Sequence, residues 1–459
     1  MHLSPIAALL AWIPAGIYLF RRFPVRVAIL ANFFGGWALL PGANYTPSTS
    51  PFPYWILGVA LPANYFLTKA SVTGIAAIAG VSLFHFAELK RFRPHLCDLP
   101  MALWCIVPLL SALAHPDTFR GAFFGAAYLT LAWGVPWTIG RIFFSTFDSL
   151  LLAAKASVIS GLCYIPICLV EIYCGPRIYA FLYGYQPYRW VGAQRYLGFR
   201  PIGFLEDGNQ LGIWMAVATL IAVSLSVRGL APRILGLPVK WAASLLAVVT
   251  LLCQSVGSIL LLLFLLPMAL LKRRFVMRSL VTLLIMAIML FALFQISNRI
   301  SLRAFVKENH AAHSFAAALT EIGRHSLAWR IAREESDMAL AMRSPWLGSG
   351  KWNWWQDGDS RPWSLWLLVL GMYGLVGLLA FGSILFLPIL RSVWSPADER
   401  QPHEASLRQL LAAAILVVAF DNLLNGAMIL PYLVVMGGLT EKLASRESAP
   451  ISGAIQRPL

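Results

Sequence analysis

The sequence predicts an all-α, polytopic membrane protein, built as a bundle of about twelve spanning helices, and three observations lead to that prediction. Hydrophobic residues make up 59% of the 459 positions, charged residues only 12%, and the mean hydropathy is +0.71. A soluble domain has about 25% charged residues. Apolar runs recur at the length that a bilayer requires, roughly 20 residues per helix. Basic residues cluster just outside these runs.

The apolar runs define the predicted spans. They fall at roughly 3–20, 27–41, 71–88, 101–114, 120–140, 150–170, 210–227, 241–253, 256–271, 278–296, 363–389, 409–424 and 427–440. The stretch 54–68 is a further candidate. Because it is short and interrupted by Pro62, it could be a re-entrant segment rather than a full span. Positive charge follows the first run rather than preceding it, the reverse of a cleaved signal peptide, so we expect that run to remain as the first helix. Residues 1–459 form one integral membrane domain in this interpretation.

The net charge of +16 does not indicate a nucleic-acid partner, because of where the cations lie. Many stand in short clusters beside apolar runs: Arg21, Arg22 and Arg26; Lys90, Arg91 and Arg93; Arg228, Arg233 and Lys240; Lys272, Arg273, Arg274 and Arg278. Lys and Arg in short loops mark the cytoplasmic side of a membrane protein. The lipid bilayer, not nucleic acid, is therefore the expected surrounding.

The six cysteines predict neither a disulfide framework nor a metal site. Most lie inside apolar runs, none forms a C-x-x-C pair, and no His/Cys spacing fits zinc. We expect no metal and no other cofactor.

With the basic clusters on one side, two long polar segments fall on the other. The first, about 171–209, is rich in tyrosine and arginine, and the second, about 297–362, is a large loop that we expect to contain helices. Within the second, Phe315–Arg343 has the 3–4 spacing of an amphipathic helix. A flexible glycine turn at 348–350 and an interfacial aromatic stretch at 352–363 are expected after it.

The motif Arg200-Pro-Ile-Gly-Phe-Leu-Glu-Asp-Gly-Asn209 runs directly into a predicted span. An Arg and an Asn at the mouth of a helix suit an anionic ligand at the membrane surface, because guanidinium binds phosphate bidentately and a helix N-terminus adds free N–H groups. Two simpler interpretations stay open. Arg200 could be an interfacial anchor for lipid headgroups, and Glu206, Asp207 or Asn209 could cap the helix.

Further motifs follow in a fixed order, and together with the first they resemble the O-antigen ligase and polymerase superfamily of bacterial envelope glycosyltransferases. The matching residues are Arg200, Gly203, Phe204 and Asn209 before a span; Gly323, Arg324 and Trp329 in the large loop; Pro345, Gly348 and Gly350 in a turn; and Gly371 and Gly374 in a helix. The resemblance covers roughly residues 195–390. It implies a multi-pass protein of the bacterial inner membrane with its active site facing the periplasm.

The resemblance further implies the chemistry. The donor would be a glycan on undecaprenyl pyrophosphate, the acceptor another glycan, and the transfer metal-independent, since arginines neutralise the diphosphate leaving group. Arg200 and Arg324, with Arg195 or Arg361, are the expected diphosphate clamps, and Asn209 is the polar residue at the helix mouth. The expected general base is His325, followed by His313, Glu335 and Asp359. Envelope polysaccharide assembly proteins are possible partners.

Two positions depart from the family pattern. The family commonly has a His-Asn pair before the Gly-x-x-Gly helix, whereas this chain reads Asp359-Ser-Arg-Pro-Trp-Ser-Leu-Trp366, and a family Ser-Arg pair is replaced near Gln254-Ser-Val-Gly257. The missing His-Asn pair favours a polymerase of exopolysaccharide or O-antigen repeat units over a ligase to lipid A core. A flippase or transporter would show internal repeats and midplane charges, and neither stands out. A non-catalytic assembly subunit is the remaining alternative.

Asp421 and Asn422 lie in the last apolar hairpin. Polar groups inside a membrane are functional candidates by default, and the competing interpretation is an interhelical hydrogen bond.

Overall fold

A computed structural model describes residues 2–42, 59, 65–185, 194–271, 273–297, 308–310, 314, 336–356, 362–394, 402–423, 425–426 and 428–440. Within these ranges the chain is almost wholly helical, with two two-stranded antiparallel hairpins. The all-α prediction is therefore confirmed. The apolar composition favours this outcome, because in lipid a helix satisfies its backbone polar groups within one segment.

The helices follow one another through short turns in most of the described chain. The first nine are α1 (Pro5–Arg22), α2 (Val25–Leu39), α3 (Lys69–Phe84), α4 (Phe86–Lys90), α5 (Leu99–Ala114), α6 (Phe119–Leu129), α7 (Val135–Phe143), α8 (Phe147–Cys174) and α9 (Ile178–Tyr183). The others are α10 (Gly208–Val227), α11 (Val239–Leu252), α12 (Val256–Leu270), α13 (Arg274–Ile296), α14 (Leu365–Trp394), α15 (Pro402–Asp421) and α16 (Tyr432–Thr440).

Shorter elements join some of these helices. They are the 3-10 turns Leu96–Asp98 and Pro116–Thr118, the π-helical turn Thr130–Gly134, the hairpin of β1 (Gln194–Arg195) and β2 (Gly198–Phe199), and the hairpin of β3 (Arg233–Ile234) and β4 (Leu237–Pro238). Of the predicted helix at 315–343, residues 336–341 are helical, and 315–335 lie outside the described residues.

Seven helical segments in the described part of the chain are long and apolar enough to cross a membrane. They are Leu96–Ala114, Pro116–Phe143, Phe147–Cys174, Gly208–Val227, Phe275–Ile296, Leu365–Trp394 and Pro402–Asp421. Four shorter apolar helices accompany them: α2, α3, α11 and α12. A multi-helix membrane protein is thus supported, while the count of about twelve spans stays a prediction.

Helix α10 is the centre of the bundle. It is buried along nearly its whole length and packs against α8, α11, α12 and α15. A helix that is apolar on every side is stable only when other helices surround it or lipid does. Because α10 begins directly after the Arg200–Asn209 motif, the bundle core fixes the position of that motif.

The two ends of the bundle differ in chemistry. At one end, Arg228 after α10 donates at 3.1 Å to the carbonyl oxygens of Ala269 and Ser406, which belong to the end of α12 and the start of α15. At the other end, Gln210 of α10 donates to the carbonyl of Met428, just beyond α15, at 3.4 Å. A helix of 20 residues is about 30 Å long, so these two sets of contacts lie at opposite ends.

We call the end that contains Arg228 the arginine end, because Arg278, Arg391 and Arg408 also donate to backbone carbonyls at helix termini there. We call the end that contains Gln210 the loop end. Four arginines therefore bind helix-end carbonyls at one end of the bundle, while the mouth of α10 lies at the other.

Candidate functional site

Arg200 lies at the loop end, where the β1–β2 hairpin leads into α10. Its Nη2 donates to Oδ1 of Asn209 and, at 3.0 Å, to Oγ of Ser255 in the turn between α11 and α12. The side chain is half-buried. The guanidinium is thus held between two separate turns of the bundle, and neither of these neutral partners cancels its charge.

The first turn of α10 is organised by Asp207. Its Oδ1 accepts from the backbone N–H of Gln210 at 2.7 Å, which makes Asp207 the N-cap among the three candidates considered from sequence. Its Oδ2 accepts from the Asn209 amide at 3.1 Å. Asn209 therefore links the capping carboxylate to Arg200.

The side chain of Arg200 lies across this first helical turn. A Cβ atom placed on Gly208 would be only 2.7 Å from Cδ and Nε of Arg200. The glycine leaves room for the guanidinium to lie against the helix N-terminus, where backbone N–H groups and the helix dipole favour an anion.

The loop before α10 is fixed to α8 by two buried side chains. Oε2 of Glu171 accepts from the backbone N–H groups of Ile202 and Gly203 at 2.8 and 2.7 Å. The Tyr164 hydroxyl accepts from the N–H of Phe204 at 2.8 Å. Because these backbone groups would otherwise be buried without partners, the loop has little freedom to move away from α8.

A buried ion pair lies under the same loop. Nζ of Lys69 is 3.5 Å from Oε1 of Glu206 and donates to the Phe204 carbonyl at 3.2 Å, and it stands 4.2 Å from the centre of the Trp37 ring. Both charged side chains are almost fully buried. Burial raises the pKa of Glu206 to about 7, while the nearby ammonium of Lys69 opposes the shift.

The other predicted diphosphate ligands are placed only in part. Arg195 lies on β1, opposite Gly198, and the hairpin is joined to the α11–α12 turn where Leu197 N donates to Oε1 of Gln254 at 3.1 Å. Arg324 and Arg361 lie outside the described residues, as do the base candidates His313, His325, Glu335 and Asp359. The convergence of Arg200 and Arg324 therefore stays a prediction.

The Pro345–Gly350 turn and the Gly371–Gly374 motif, which are separate in sequence, form one structural unit. Ser349 N and Gly350 N each donate at 3.0 Å, to the carbonyls of Gly371 and Met372, and Leu375 N donates to the carbonyl of Pro345 at 2.8 Å. We expected a flexible turn, but the structure shows one bonded along its length to α14.

Glycine at these positions has a steric reason. Gly374 interrupts α14 with φ of 65° and ψ of −162°, and Gly348 has φ of 67°. A Cβ on either would come within 2.3 Å of backbone carbon atoms of the other segment. Only glycine allows both the left-handed φ and this close approach.

A cavity of about 400 Å³ opens beside this unit. It is lined by His115, Leu340, Ala341, Arg343, Ser344, Ser349, Lys351, Asn353, Trp354, Gln356 and Gly371. Nε2 of His115 is 2.9 Å from the carbonyl oxygen of Gly348, and since a carbonyl only accepts, Nε2 has the proton. Nζ of Lys351 pairs with Asp117 at 3.1 Å.

Trp354 and Trp355 differ from the expected interfacial belt. Trp355 is 6% exposed, and the Trp354 ring packs so closely on α14 that a Cβ on Gly371 would lie 2.1 Å from it. Trp355 is therefore buried, and Trp354 is partly buried against the broken α14, an outcome that a local sequence pattern does not reveal.

The hydrogen bonds of the last hairpin come from its backbone and from a contact within the hairpin, so both interpretations of Asp421 and Asn422 stay open. The backbone carbonyl of Asn422 accepts from Leu365 N at 3.1 Å, and the Asp421 carboxylate accepts from the Asn425 amide. The bond from Leu365 joins the start of α14 to the end of α15. Together with the contact from Gln210 to Met428, it places the start of α14 at the same end of the bundle as the mouth of α10.

Sequence reasoning missed three residues of this end: Lys69, His115 and Ser255. Lys69 stands at the border of an apolar run, and a lysine in that position is a sequence signal for a functional or paired charge. His115 and Ser255 lie in short turns, and only the tertiary fold brings them to Gly348 and Arg200.

No cluster of three or more His, Cys, Asp or Glu side chains suited to a metal ion occurs among the described residues. Comparison with known proteins found no match to a family, to a curated protein or to a solved structure.

Proposed function

We propose that the protein transfers a glycan from undecaprenyl pyrophosphate to an acceptor sugar, and that it joins repeat units of exopolysaccharide or O-antigen. The observation that supports this most directly is the fixed guanidinium of Arg200 at the mouth of α10, bonded to Asn209 and Ser255. A charged fork in a set orientation beside a helix N-terminus suits a diphosphate.

In this proposal the bundle crosses the bacterial inner membrane about twelve times. The arginine end faces the cytoplasm, in keeping with the positive-inside rule. The loop end then faces the periplasm, and the segments around 171–209 and 297–362 cover it. The lipid tail of the donor lies between helices, and its glycan projects among the loops.

The chemistry is a displacement at the anomeric carbon of the donor sugar. A hydroxyl of the acceptor forms the new bond, the bond to the diphosphate breaks, and the diphosphate leaves with the electron pair. Arg200 and Arg324 neutralise the leaving group, and a general base takes the hydroxyl proton. His325, with Glu335 and Asp359 behind it, remains the proposed base.

The hydrogen-bonded packing of the Pro345–Gly350 turn against the Gly371–Gly374 motif supports the same proposal. These are two of the elements behind the resemblance to the O-antigen ligase and polymerase superfamily. Hydrogen bonds from Ser349 and Gly350 to α14 join them at the loop end, near the start of α14.

The test is complementation of a gene-deletion strain with Arg200→Ala, Arg324→Ala, Arg200→Lys and, as a control at the arginine end, Arg233→Ala. The two alanine variants should insert normally and make no product. Arg200→Lys should recover little, because lysine lacks the bidentate fork. Arg233→Ala should behave as the wild type.

The lipid-linked intermediates in the deletion strain separate the possible activities. Single repeat units that accumulate on the periplasmic side indicate a polymerase, and long unattached polymer indicates a ligase. Intermediates confined to the cytoplasmic side indicate a flippase. Full product from Arg200→Ala would refute the diphosphate clamp.

A further inference from the structure

The cavity beside the Pro345–Gly350 turn has a lining unlike that of the helix mouth around Arg200. We propose that it binds an acidic saccharide, a sugar chain with carboxylate groups. The role of the cavity as the acceptor site of the transfer reaction rests on the proposed function. The binding of the saccharide does not depend on that function. At about 400 Å³ the cavity has the size of a small-molecule site.

The charge of the lining favours an anion. Arg343 and Lys351 are cationic, and no Asp or Glu is among the lining residues. Arg343 is exposed, and no carboxylate pairs with it among the described residues. Lys351 does pair with Asp117, but both side chains are more than half exposed, so water and salt weaken that pair.

The rest of the lining suits a sugar rather than a small inorganic anion. Two carboxamides and two hydroxyls, from Asn353, Gln356, Ser344 and Ser349, offer donors and acceptors for sugar hydroxyls. The indole of Trp354 offers an apolar face. It is held in place because its Nε1 donates to the Leu368 carbonyl at 3.3 Å and its ring packs against Gly371.

The rim of the cavity is fixed by contacts across the bundle. His115 bonds to the Gly348 carbonyl, and the Ser111 hydroxyl donates to the Leu347 carbonyl, so the end of α5 and the turn after it are tied to the Pro345–Gly350 turn at two points. A site whose walls are already in place loses less entropy when it binds a ligand.

The test measures binding of trigalacturonate and of the neutral galactose trisaccharide to the full-length protein in phosphatidylcholine nanodiscs. Calorimetry should show that trigalacturonate binds and that the neutral trisaccharide binds at least tenfold more weakly. Arg343→Gln should weaken trigalacturonate binding about tenfold, as expected for the loss of one charge-assisted contact. Added salt should weaken it further.

The matched control is Arg93→Gln, an exposed arginine in the cluster Lys90–Arg93, which should bind trigalacturonate as the wild type does. Equal affinity for both trisaccharides, no binding of trigalacturonate, or unchanged binding in Arg343→Gln would each overturn the proposal. Arg200→Ala should bind normally. If Arg200→Ala still forms product while Arg343→Gln loses binding, the proposed transfer fails and the saccharide site stands.

Discussion

Arg200 donates a hydrogen bond to the side-chain oxygen of Asn209, nine positions further along the chain, so that an arginine and the first turn of the central helix form one rigid unit. Asn209 in turn donates to Asp207, the N-cap of that helix. The orientation of the guanidinium is therefore set in part by the helix, and the groups it contacts at Asn209 and Ser255 are neutral.

The neutrality of Asn209 leads to the first prediction. Asn209→Asp keeps the shape and the acceptor oxygen toward Arg200, but it places a carboxylate against Arg200 and removes the amide that donates to Asp207. The resulting ion pair should keep the fold and lower the attraction of Arg200 for a diphosphate, so transfer should fall at least tenfold. Product formation in membranes checks this, and thermal unfolding in detergent should show at most a small loss of stability, because repulsion between the carboxylates at 207 and 209 offsets the new ion pair. Wild-type product from Asn209→Asp would mean that the charge of Arg200 is not used.

The Lys69–Glu206 pair leads to the second prediction. Lys69→Met or Glu206→Leu alone leaves one buried charge without its partner and should destabilise the fold by about 3–5 kcal/mol. The double variant removes both charges and should regain most of the lost stability. Thermal unfolding of the purified protein measures all three. If the double variant is as unstable as the sum of the two single variants, the pair is not coupled as described.

The third prediction concerns pH. The raised pKa of Glu206, about 7 against an ordinary 4.5, means that between these values the folded protein binds the proton more tightly than the unfolded chain. The stability from this group is fully present below about pH 4.5 and is lost as the pH rises through about 7. Lys69 opposes this shift and Asp207 adds to it. The melting temperature should therefore fall across this window in the wild type and less in Glu206→Gln.

A matched control for the pH experiment is Glu88→Gln. Glu88 is a partly exposed carboxylate in α4, beyond the end of α3 that is opposite to Lys69. Its melting profile should follow that of the wild type between pH 4.5 and 7. If the melting temperatures of Glu206→Gln and of the wild type fall by the same amount over this range, the pH dependence does not come from Glu206.

The fourth prediction uses three glycines that differ in one property at a time. Gly348 combines a positive φ with a close backbone neighbour, Gly236 has a positive φ in open space, and Gly257 has neither. Substitution by alanine should cost most at Gly348, about 1–3 kcal/mol or more. Gly236→Ala should cost about 1 kcal/mol, and Gly257→Ala, inside α12, should be neutral or stabilising. Melting temperatures in detergent give the order. A Gly348→Ala variant as stable as Gly257→Ala would contradict the tight seating on α14.

Much of the fold was predictable from sequence because the bilayer leaves few choices. Apolar runs near 20 residues have to become helices, because a helix satisfies its own backbone polar groups in lipid. The Arg200–Asn209 motif was recognisable for a similar reason, since its polar residues interrupt the apolar pattern where a helix begins. Asp207 as N-cap is a local property that three or four neighbouring residues decide.

The sequence by itself thus determined the helical class and the position of Arg200 at a helix mouth, because each depends on neighbours along the chain. The tertiary structure alone decided that Ser255 meets Arg200, that Lys69 pairs with Glu206, and that His115 bonds to Gly348. Those residues are 55, 137 and 233 positions apart. Contacts of this kind follow from how helices pack, and packing depends on the shapes of all of them together.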